Sequence, residues 1–260
     1  MQDPFLSIVI PAYNEESCIS DTLKKVIEYL NTQSYSWEVL VADDGSTDST
    51  AQLARNMSKL EPRIRLISII HKGKGWAVKQ GMLAATGEYR FQCDADLSMP
   101  IEQISRFLPP QIEQFDIAIG SREAIGANRI GESKGRQLRG RIFNFLVRTL
   151  AVSGLQDTQC GFKCFRGTEA QTLFSIQRLH RLTFDVEVLT LAKTRGLNVI
   201  EIPIDWYHKP SSKIRTIIDP ILMIRDLLYI RWGIIRGMYR SVGTNQSRYP
   251  DPDHSKIRKS

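Results

Sequence analysis

Cysteine and histidine are scarce in this sequence, and neither forms a recognisable site. The four cysteines have neither the paired spacing of a zinc site nor the density of a disulfide-rich scaffold; they are Cys18, Cys93, Cys160 and Cys164. We therefore expect reduced thiols buried in the core. None of the four histidines has a second metal-ligating residue at a useful spacing, so we expect none of them to be catalytic.

Long apolar runs are also missing. No uncharged apolar stretch reaches the ~18 residues that a membrane-spanning helix needs. The first predicted strand starts too close to Met1 to leave room for a signal peptide. The segment Gly73-Lys74-Gly75 lacks the spacing, and the following Ser or Thr, of the phosphate loop of nucleoside triphosphatases. We expect a cytoplasmic protein that is not a nucleoside triphosphatase.

The composition is that of an ordinary folded domain with a basic excess. The 260 residues are 42% hydrophobic and 24% charged, and the net charge is +7. Lysines and arginines crowd two segments, 129–148 and 209–240. Such clusters favour an anionic partner, either a phosphate-bearing substrate or an anionic lipid. Because no RNA- or DNA-binding motif accompanies them, we expect no nucleic-acid partner.

Predicted strands and helices alternate along the chain. Six apolar segments read as strands, and most of them are separated by helical patterns of ~10–15 residues. The strands are predicted at 6–10, 37–42, 64–70, before Asp94, at 115–120 and at 199–204. A further helix is predicted at 136–152, after a loop rich in Gly and Arg. This alternation predicts an α/β fold, a mostly parallel sheet with helices on both faces.

Polar side chains follow the first four strands where each one ends. They are Tyr13 with Glu15, Asp43 with Asp44, Lys72 with Lys74, and Asp94 with Asp96. In sheets of this kind ligands bind beyond the carboxyl ends of the strands. We therefore expect one shared site rather than four separate loops.

The carboxylates of Asp94 and Asp96 are the strongest candidates for metal ligands. Residues i and i+2 of an extended segment point to the same side, so both can face one cation. Mg²⁺ commonly takes one or two carboxylates and completes its shell with water and substrate phosphates. The alternative is a solvated loop that caps a helix. The polar clusters at the neighbouring strand ends favour the metal.

The segment Ile217–Arg240 differs from the rest of the chain. A polar stripe of Asp226, Tyr229, Gly233, Arg236 and Arg240 runs through a wide apolar surface. This pattern is typical of a helix in a membrane interface, and the alternatives are a helix packed on the protein's own sheet or a dimer contact. We predict a catalytic domain at 1–215, an amphipathic interfacial segment at 216–243 and a disordered tail at 244–260.

The motifs together resemble family 2 glycosyltransferases of the GT-A fold. They are residues 10–16 (IPAYNEE), 43–48 (DDGSTD), 73–75 (GKG), 94–96 (DAD), 120–122 (GSR) and 157–163 (DTQCGFK). Within that family the chain is similar to the polyprenyl-phosphate sugar transferases. At 157–163 it is most similar to the dolichyl-phosphate β-glucosyltransferases.

The resemblance implies a role for each matching residue. It implies a nucleotide sugar such as UDP-glucose as donor, a polyprenyl phosphate as acceptor at a membrane surface, and Mg²⁺ or Mn²⁺ as cofactor. Pro11, Tyr13, Glu15, Asp43 and Asp44 would line the base and ribose, Lys74 and Lys213 would meet the diphosphate, and Asp94 and Asp96 would hold the metal. Arg122 and Arg136 would grip the acceptor phosphate, and Asp157 would orient the sugar or acceptor. The catalytic set would then be Asp96, Arg122 and Asp157.

Three alternatives to that reaction stay open. The acceptor could be a soluble glycan, or the donor could be GDP-mannose with the same lipid. The chain could also be a non-enzymatic scaffold of transferase fold, which the presence of both Asp94 and Asp96 disfavours.

Overall fold

A seven-stranded sheet forms the centre of the molecule. The computed structural model describes residues 3–132, 135, 147, 152, 154–209 and 218–239. Its strands are β1 (Leu6–Ala12), β2 (Trp37–Asp43), β3 (Ile64–Ser68), β4 (Tyr89–Cys93), β5 (Ile117–Ser121), β6 (Asn128–Ile130), β7 (Phe162–Arg166), β8 (Val199–Pro203) and β9 (Asp205–Tyr207). The sheet order is β3-β2-β1-β4-β7-β5-β8, and β6 pairs with β9 in a separate ribbon.

The predicted mostly parallel sheet is confirmed, with one strand reversed. β1 runs parallel to β2 and β4, β2 to β3, and β5 to β8. β7 lies antiparallel between β4 and β5. The six strands predicted from the sequence do not include this one. Lys163 interrupts its apolar run and Arg166 ends it, which obscures the pattern of a buried strand.

Helices cover both faces of the sheet, as predicted. They are α1 (Ile19–Asn31), α2 (Thr50–Leu60), α3 (Lys74–Ala84), a 3₁₀ helix (Ile101–Phe107), α4 (Gly167–Ile176), α5 (Phe184–Thr194) and α6 (Ile218–Ile235). Successive residues of β1 face opposite sides, as strand geometry requires. Ile8 belongs to the apolar cluster that contains Leu23 of α1, and Val9 belongs to the one that contains Val78 of α3.

Helix α6 packs on α5 and keeps an apolar face outside. Leu227 and Ile230 are buried in the same cluster as residues of α5. Asp226 is also buried and accepts a hydrogen bond from the Thr183 hydroxyl, and Gly233 lies against the ring of Tyr239. Part of the predicted polar stripe therefore faces the protein. Within the described residues, no helix is long and apolar enough to cross a bilayer.

The cysteines match the expectation of reduced thiols. All four are free; Cys93, Cys160 and Cys164 are buried and Cys18 is half-buried. Apart from 147 and 152, the predicted helix at 136–152, with Arg136, lies outside the described residues, as do Lys213 and the predicted tail.

Candidate functional site

A cleft opens at the carboxyl ends of the strands, where the sequence analysis placed the site. Its volume is about 310 Å³. Residues from the ends of β1, β2 and β4 and from the start of α3 meet in it, as the edge of a parallel sheet allows. Seven predicted site residues line it together: Pro11, Tyr13, Glu15, Asp44, Lys74, Asp94 and Asp96. Its other lining residues are Ala12, His71, Gly73, Ala77, Ala95 and Leu182.

Three other predicted residues lie outside the lining of this cleft. Asp43 is 3% exposed, and its Oδ1 accepts a hydrogen bond from the backbone of Ser46 at 3.3 Å. Arg122 and Asp157 form a separate pair beside the cleft, described below. Arg136 and Lys213 fall outside the described residues, so their predicted roles stay predictions.

Lys74 and Asp94 form an ion pair inside the cleft. Nζ of Lys74 lies 2.7 Å from Oδ1 of Asp94, and the two side chains are 30% and 27% exposed. Burial lowers the pKa of Lys74, but the carboxylates of Asp94 and Asp185 outweigh it and raise the value to about 12. Lys74 is also the first residue of α3, and a helix N-terminus attracts anions. A charged lysine at this position suits a diphosphate.

The two predicted metal ligands fit a divalent cation that shares its shell with a substrate. Both Asp94 and Asp96 line the cleft, and Oδ1 of Asp96 is held by the backbone N–H of Ser98 at 2.8 Å. Among the described residues no group of three or more His, Cys, Asp and Glu side chains could hold a metal alone. Two carboxylates match Mg²⁺ or Mn²⁺ if phosphate oxygens and water complete the coordination. Oδ1 of Asp94 faces the Lys74 ammonium at 2.7 Å, so that ammonium would move aside when a cation binds the carboxylate.

Asp44 fixes the loop that carries Lys74. The carboxylate is 2% exposed and accepts hydrogen bonds from the backbone N–H groups of Lys72 and Gly73, at 2.9 and 2.8 Å. Nδ1 of His71 lies 2.8 Å from the same carboxylate. Gly73 has φ 118°, a backbone conformation that favours glycine. Asp44 therefore joins the end of β2 to the start of α3, in addition to lining the cleft.

His71 is a cleft residue that the sequence analysis missed. Its ring stacks on Tyr13, with ring centroids 4.2 Å apart and planes inclined by 21°. The spacing of the histidines indicated only that they are neither metal ligands nor catalytic groups, and it carries no information on stacking. The available signal was position, because His71 follows the predicted third strand directly. Leu182 also lines the cleft, and no sequence pattern marked it.

Arg122 and Asp157 form a rigid bidentate pair. Nε and one terminal nitrogen of Arg122 lie 2.7 and 2.9 Å from the two oxygens of Asp157, and the Arg122 backbone N–H donates at 3.0 Å. Asp157 is fully buried. Burial favours its neutral form, but the charge of Arg122 outweighs burial and lowers the pKa of Asp157 to about 2. A carboxylate so acidic and so enclosed orients Arg122 and is a poor proton acceptor.

One short turn lies between this pair and the cleft. Gly161 packs directly on the Asp94 carboxylate, where an added Cβ would stand 2.1 Å from an oxygen. Cys160, the residue before it, packs against Gly120, two residues before Arg122. The predicted motif at 157–163 therefore contacts both the arginine and the aspartate sides of the site.

Comparison with known proteins supports a sugar-transferring enzyme. The sequence profile of Glycosyl transferase family 2 matches residues 7–168. The dolichyl-phosphate beta-glucosyltransferase of Dictyostelium discoideum is 33% identical over 250 residues, which cover 91% of this chain and 76% of that protein. The Saccharomyces cerevisiae protein of the same name is 34% identical over 260 residues, with 92% and 78% covered.

The fold is also shared with a solved transferase. The glucosyl-3-phosphoglycerate synthase of Mycobacterium tuberculosis, crystallised with Mn²⁺, UDP and glucosyl-3-phosphoglycerate, superposes with a TM-score of 0.60. The match has 19% identity and covers 87% of this chain and 78% of that one. At this identity the likeness shows the GT-A fold alone. The family profile and the relatives, which align along nine-tenths of the chain, establish that it belongs to glycosyl transferase family 2 and is a glycosyltransferase.

Proposed function

We propose that the protein transfers glucose from UDP-glucose to a polyprenyl phosphate of the dolichyl type, with inversion and with a divalent metal. The observation that carries the proposal is the cleft in which Lys74, Asp94 and Asp96 meet, with Arg122 one turn away. The names of the relatives support the lipid acceptor and the sugar. The UDP and Mn²⁺ bound to the Mycobacterium protein support the donor and the cofactor.

The donor would lie along the cleft from base to diphosphate. Pro11, Tyr13 and Glu15 line its end at β1, where a carboxylate can accept an N–H of the base. Lys74 would neutralise diphosphate charge at the N-terminus of α3. Asp43 and Asp44 would fix the loops that bind the donor, since both carboxylates accept hydrogen bonds from backbone N–H groups of neighbouring loops.

Asp94 and Asp96 would hold the metal against the donor phosphates. When bound, the cation would stabilise the negative charge that the leaving diphosphate gains as the glycosidic bond breaks. The backbone N–H of Ser98 keeps Asp96 turned into the cleft. The backbone of Gly161 packs against the Asp94 carboxylate and limits its movement away from the cleft.

Arg122 would bind the acceptor phosphate, and Asp157 would orient Arg122. A guanidinium can bind phosphate oxygens through several N–H donors, and Asp157 fixes which of them remain directed outward. The phosphate monoester, with a second pKa of ~6, is largely ionised at neutral pH and needs no strong base. In-line attack then inverts the anomeric carbon, so an α-linked nucleotide sugar gives a β-linked lipid phosphate. Positioning accounts for most of the rate.

A donor panel tests this function. Purified protein, Mn²⁺ and polyprenyl phosphate are incubated with radiolabelled UDP-glucose, UDP-N-acetylglucosamine or GDP-mannose, and the organic phase is counted. We expect organic-soluble label from UDP-glucose at least ~10-fold above the other donors, since a site that hydrogen-bonds its substrate discriminates strongly. Preferential transfer from GDP-mannose would contradict the sugar assignment. Label that stays with an added soluble glycan would contradict the lipid acceptor.

We also propose that α6 holds the protein at the cytoplasmic face of a membrane. Ile224, Leu228, Trp232 and Ile235 follow one another at intervals of three or four residues, which puts them on one side of the helix. They are 40%, 56%, 48% and 74% exposed. Exposed arginines flank this stripe, namely Arg225, Arg231 and Arg236. An apolar stripe between cations suits an anionic lipid surface, which is where a polyprenyl phosphate resides.

Vesicle flotation tests the membrane contact. Wild-type protein should float with phosphatidylcholine vesicles that contain phosphatidylserine, and more weakly without the anionic lipid. The double variant Leu228→Glu/Trp232→Glu should bind at least ~10-fold more weakly, because it places charge in the apolar stripe. Leu60→Glu on α2 is the matched control, since Leu60 is another exposed apolar residue, 80% exposed. Equal flotation of the double variant and the wild type would contradict the proposal.

A further inference from the structure

We infer that Lys163 and Asp185 are positioning residues, which hold the turn at Gly161 in place and thereby set the position of Asp94. The inference rests on the proposed function, in which Asp94 is a metal ligand. Neither residue lines the cleft, and no role in the reaction follows from their side chains alone.

The pair is deeply buried. Lys163 is 1% exposed and Asp185 is 5% exposed, and Nζ of Lys163 lies 2.6 Å from Oδ1 of Asp185. Removing two charges from water costs free energy that their attraction often fails to recover, so a buried ion pair is a weak source of stability. A better-attested role of a buried ion pair is to fix one particular arrangement of the chain. The contacts of Lys163 indicate which arrangement this pair fixes.

Lys163 closes the turn that touches Asp94. Its ammonium group also donates a hydrogen bond to the carbonyl oxygen of Cys160. Gly161 lies inside the segment that this bond closes. A Cβ built on Gly161 would stand 2.1 and 2.4 Å from the two oxygens of Asp94, so the backbone of Gly161 is in contact with the whole carboxylate. A shift of this turn moves Asp94 or opens a gap beside it.

Asp185 connects the turn to the loop of Lys74. It lies in the first turn of α5, where an anion is favoured by the helix dipole. Phe184, the residue before it, packs against Gly75, where an added Cβ would lie 2.6 Å from Cβ of Phe184. The negative charge of the Asp185 carboxylate also helps to raise the pKa of Lys74. The start of α5 thus contacts the segment that carries Lys74 and, through Lys163, the turn beneath Asp94.

This arrangement would keep the metal side and the diphosphate side of the cleft in register. Partners behind a metal ligand commonly contribute ~10–100-fold to metal affinity by orienting it. Asp185→Asn and Lys163→Met should each weaken Mn²⁺ binding in the presence of UDP by at least ~10-fold, within that range. Gly161→Ala should do the same while leaving the ion pair intact, since Gly161 is not among the glycines with positive φ.

The test measures Mn²⁺ affinity by titration with UDP present, together with the thermal midpoint of each variant. Glu38→Gln is the control. Glu38 is a carboxylate 8% exposed that pairs with Arg65 at the amino end of β2, at the opposite edge of the sheet. We expect this variant to lose thermal stability and keep wild-type Mn²⁺ affinity.

The outcomes separate the inference from the proposed function. If Asp94→Asn weakens Mn²⁺ binding but Asp185→Asn, Lys163→Met and Gly161→Ala do not, the positioning role is wrong and the metal site stands. If Asp94→Asn itself binds Mn²⁺ as tightly as wild type, the metal assignment fails first. If Glu38→Gln weakens Mn²⁺ binding as much as Asp185→Asn, the effect of Asp185 is general destabilisation and the inference is overturned. Should both ion-pair variants fail to fold, wild-type Mn²⁺ affinity in Gly161→Ala would still overturn the inference, because the turn would then not set the position of Asp94.

Discussion

Replacing Asp94 with Asn should lower kcat for glucose transfer by about 10³-fold, roughly 4 kcal/mol of lost transition-state stabilisation. The amide keeps the shape of the carboxylate but removes the charge that would hold the cation. It also leaves Lys74 without the partner that lies 2.7 Å away. Both effects act on the diphosphate as it leaves, so the loss should fall on kcat more than on the KM of the lipid acceptor.

A second buried carboxylate provides the control for this variant. Asp116 is 3% exposed and accepts a hydrogen bond from the backbone of Asn198 at 2.8 Å. It lies at the amino end of β5, whereas the cleft lies at the carboxyl ends of the strands. Asp116→Asn should change stability without changing kcat by more than about twofold, because Asp116 supports the backbone of Asn198 and does not line the cleft. Wild-type kcat in Asp94→Asn, measured by steady-state transfer of labelled glucose, would contradict the assignment of the metal site.

The second large effect is expected at the pair of Arg122 and Asp157. Asp157→Asn removes the charge that holds the guanidinium in a bidentate grip and leaves Arg122 beside a neutral amide. Breaking one partner of such a buried pair costs about 3–5 kcal/mol. Because part of that cost falls on stability, we expect kcat/KM for polyprenyl phosphate to fall about 100-fold, some 2.7 kcal/mol. The KM for the nucleotide sugar should change little.

Arg122→Lys should produce the same pattern, since a lysine cannot form the two-pronged contact. The double variant should be little worse than either single one, because the two residues act as a unit. Arg106→Lys serves as the control; its pair with Asp205 is longer, at 3.4 Å, and more exposed. Steady-state rates with varied acceptor at fixed donor measure all four proteins. A rise in the KM for the donor with an unchanged KM for the acceptor would contradict the assignment of Arg122 to the acceptor phosphate.

The sequence was sufficient to predict the parallel sheet and most of the cleft. Strands of parallel sheets are bounded by loops at one edge, so polar residues such as Glu15, Asp44, Lys74 and Asp94 had to meet there if the strands were adjacent. The structure places β1, β2, β3 and β4 next to one another in that way. This part of the prediction depended only on local patterns and one rule of topology.

Contacts between distant segments could not be predicted in the same way. The pairing of Arg122 with Asp157, and of Lys163 with Asp185, joins residues 35 and 22 positions apart that no periodic pattern connects. The buried Lys163 also concealed β7, since a charged residue reads as exposed until its partner is known. Helix α6 shows the same limit. Its sequence pattern predicted a wide apolar surface, but the side that packs on α5 depends on contacts with α5 that the pattern does not contain.

The proposed function requires that a cation and a sugar nucleotide bind together in one pocket at the edge of the sheet. Its most direct test is calorimetric titration of UDP-glucose into the wild-type protein, once with Mn²⁺ and once with a chelator. We expect one binding site per chain that weakens at least ~10-fold when the metal is removed, since the phosphates and the carboxylates share the cation. Asp94→Asn with Mn²⁺ should behave like the chelated wild type. UDP-glucose binding that is equally tight with and without Mn²⁺, or absent in both, would contradict the shared site.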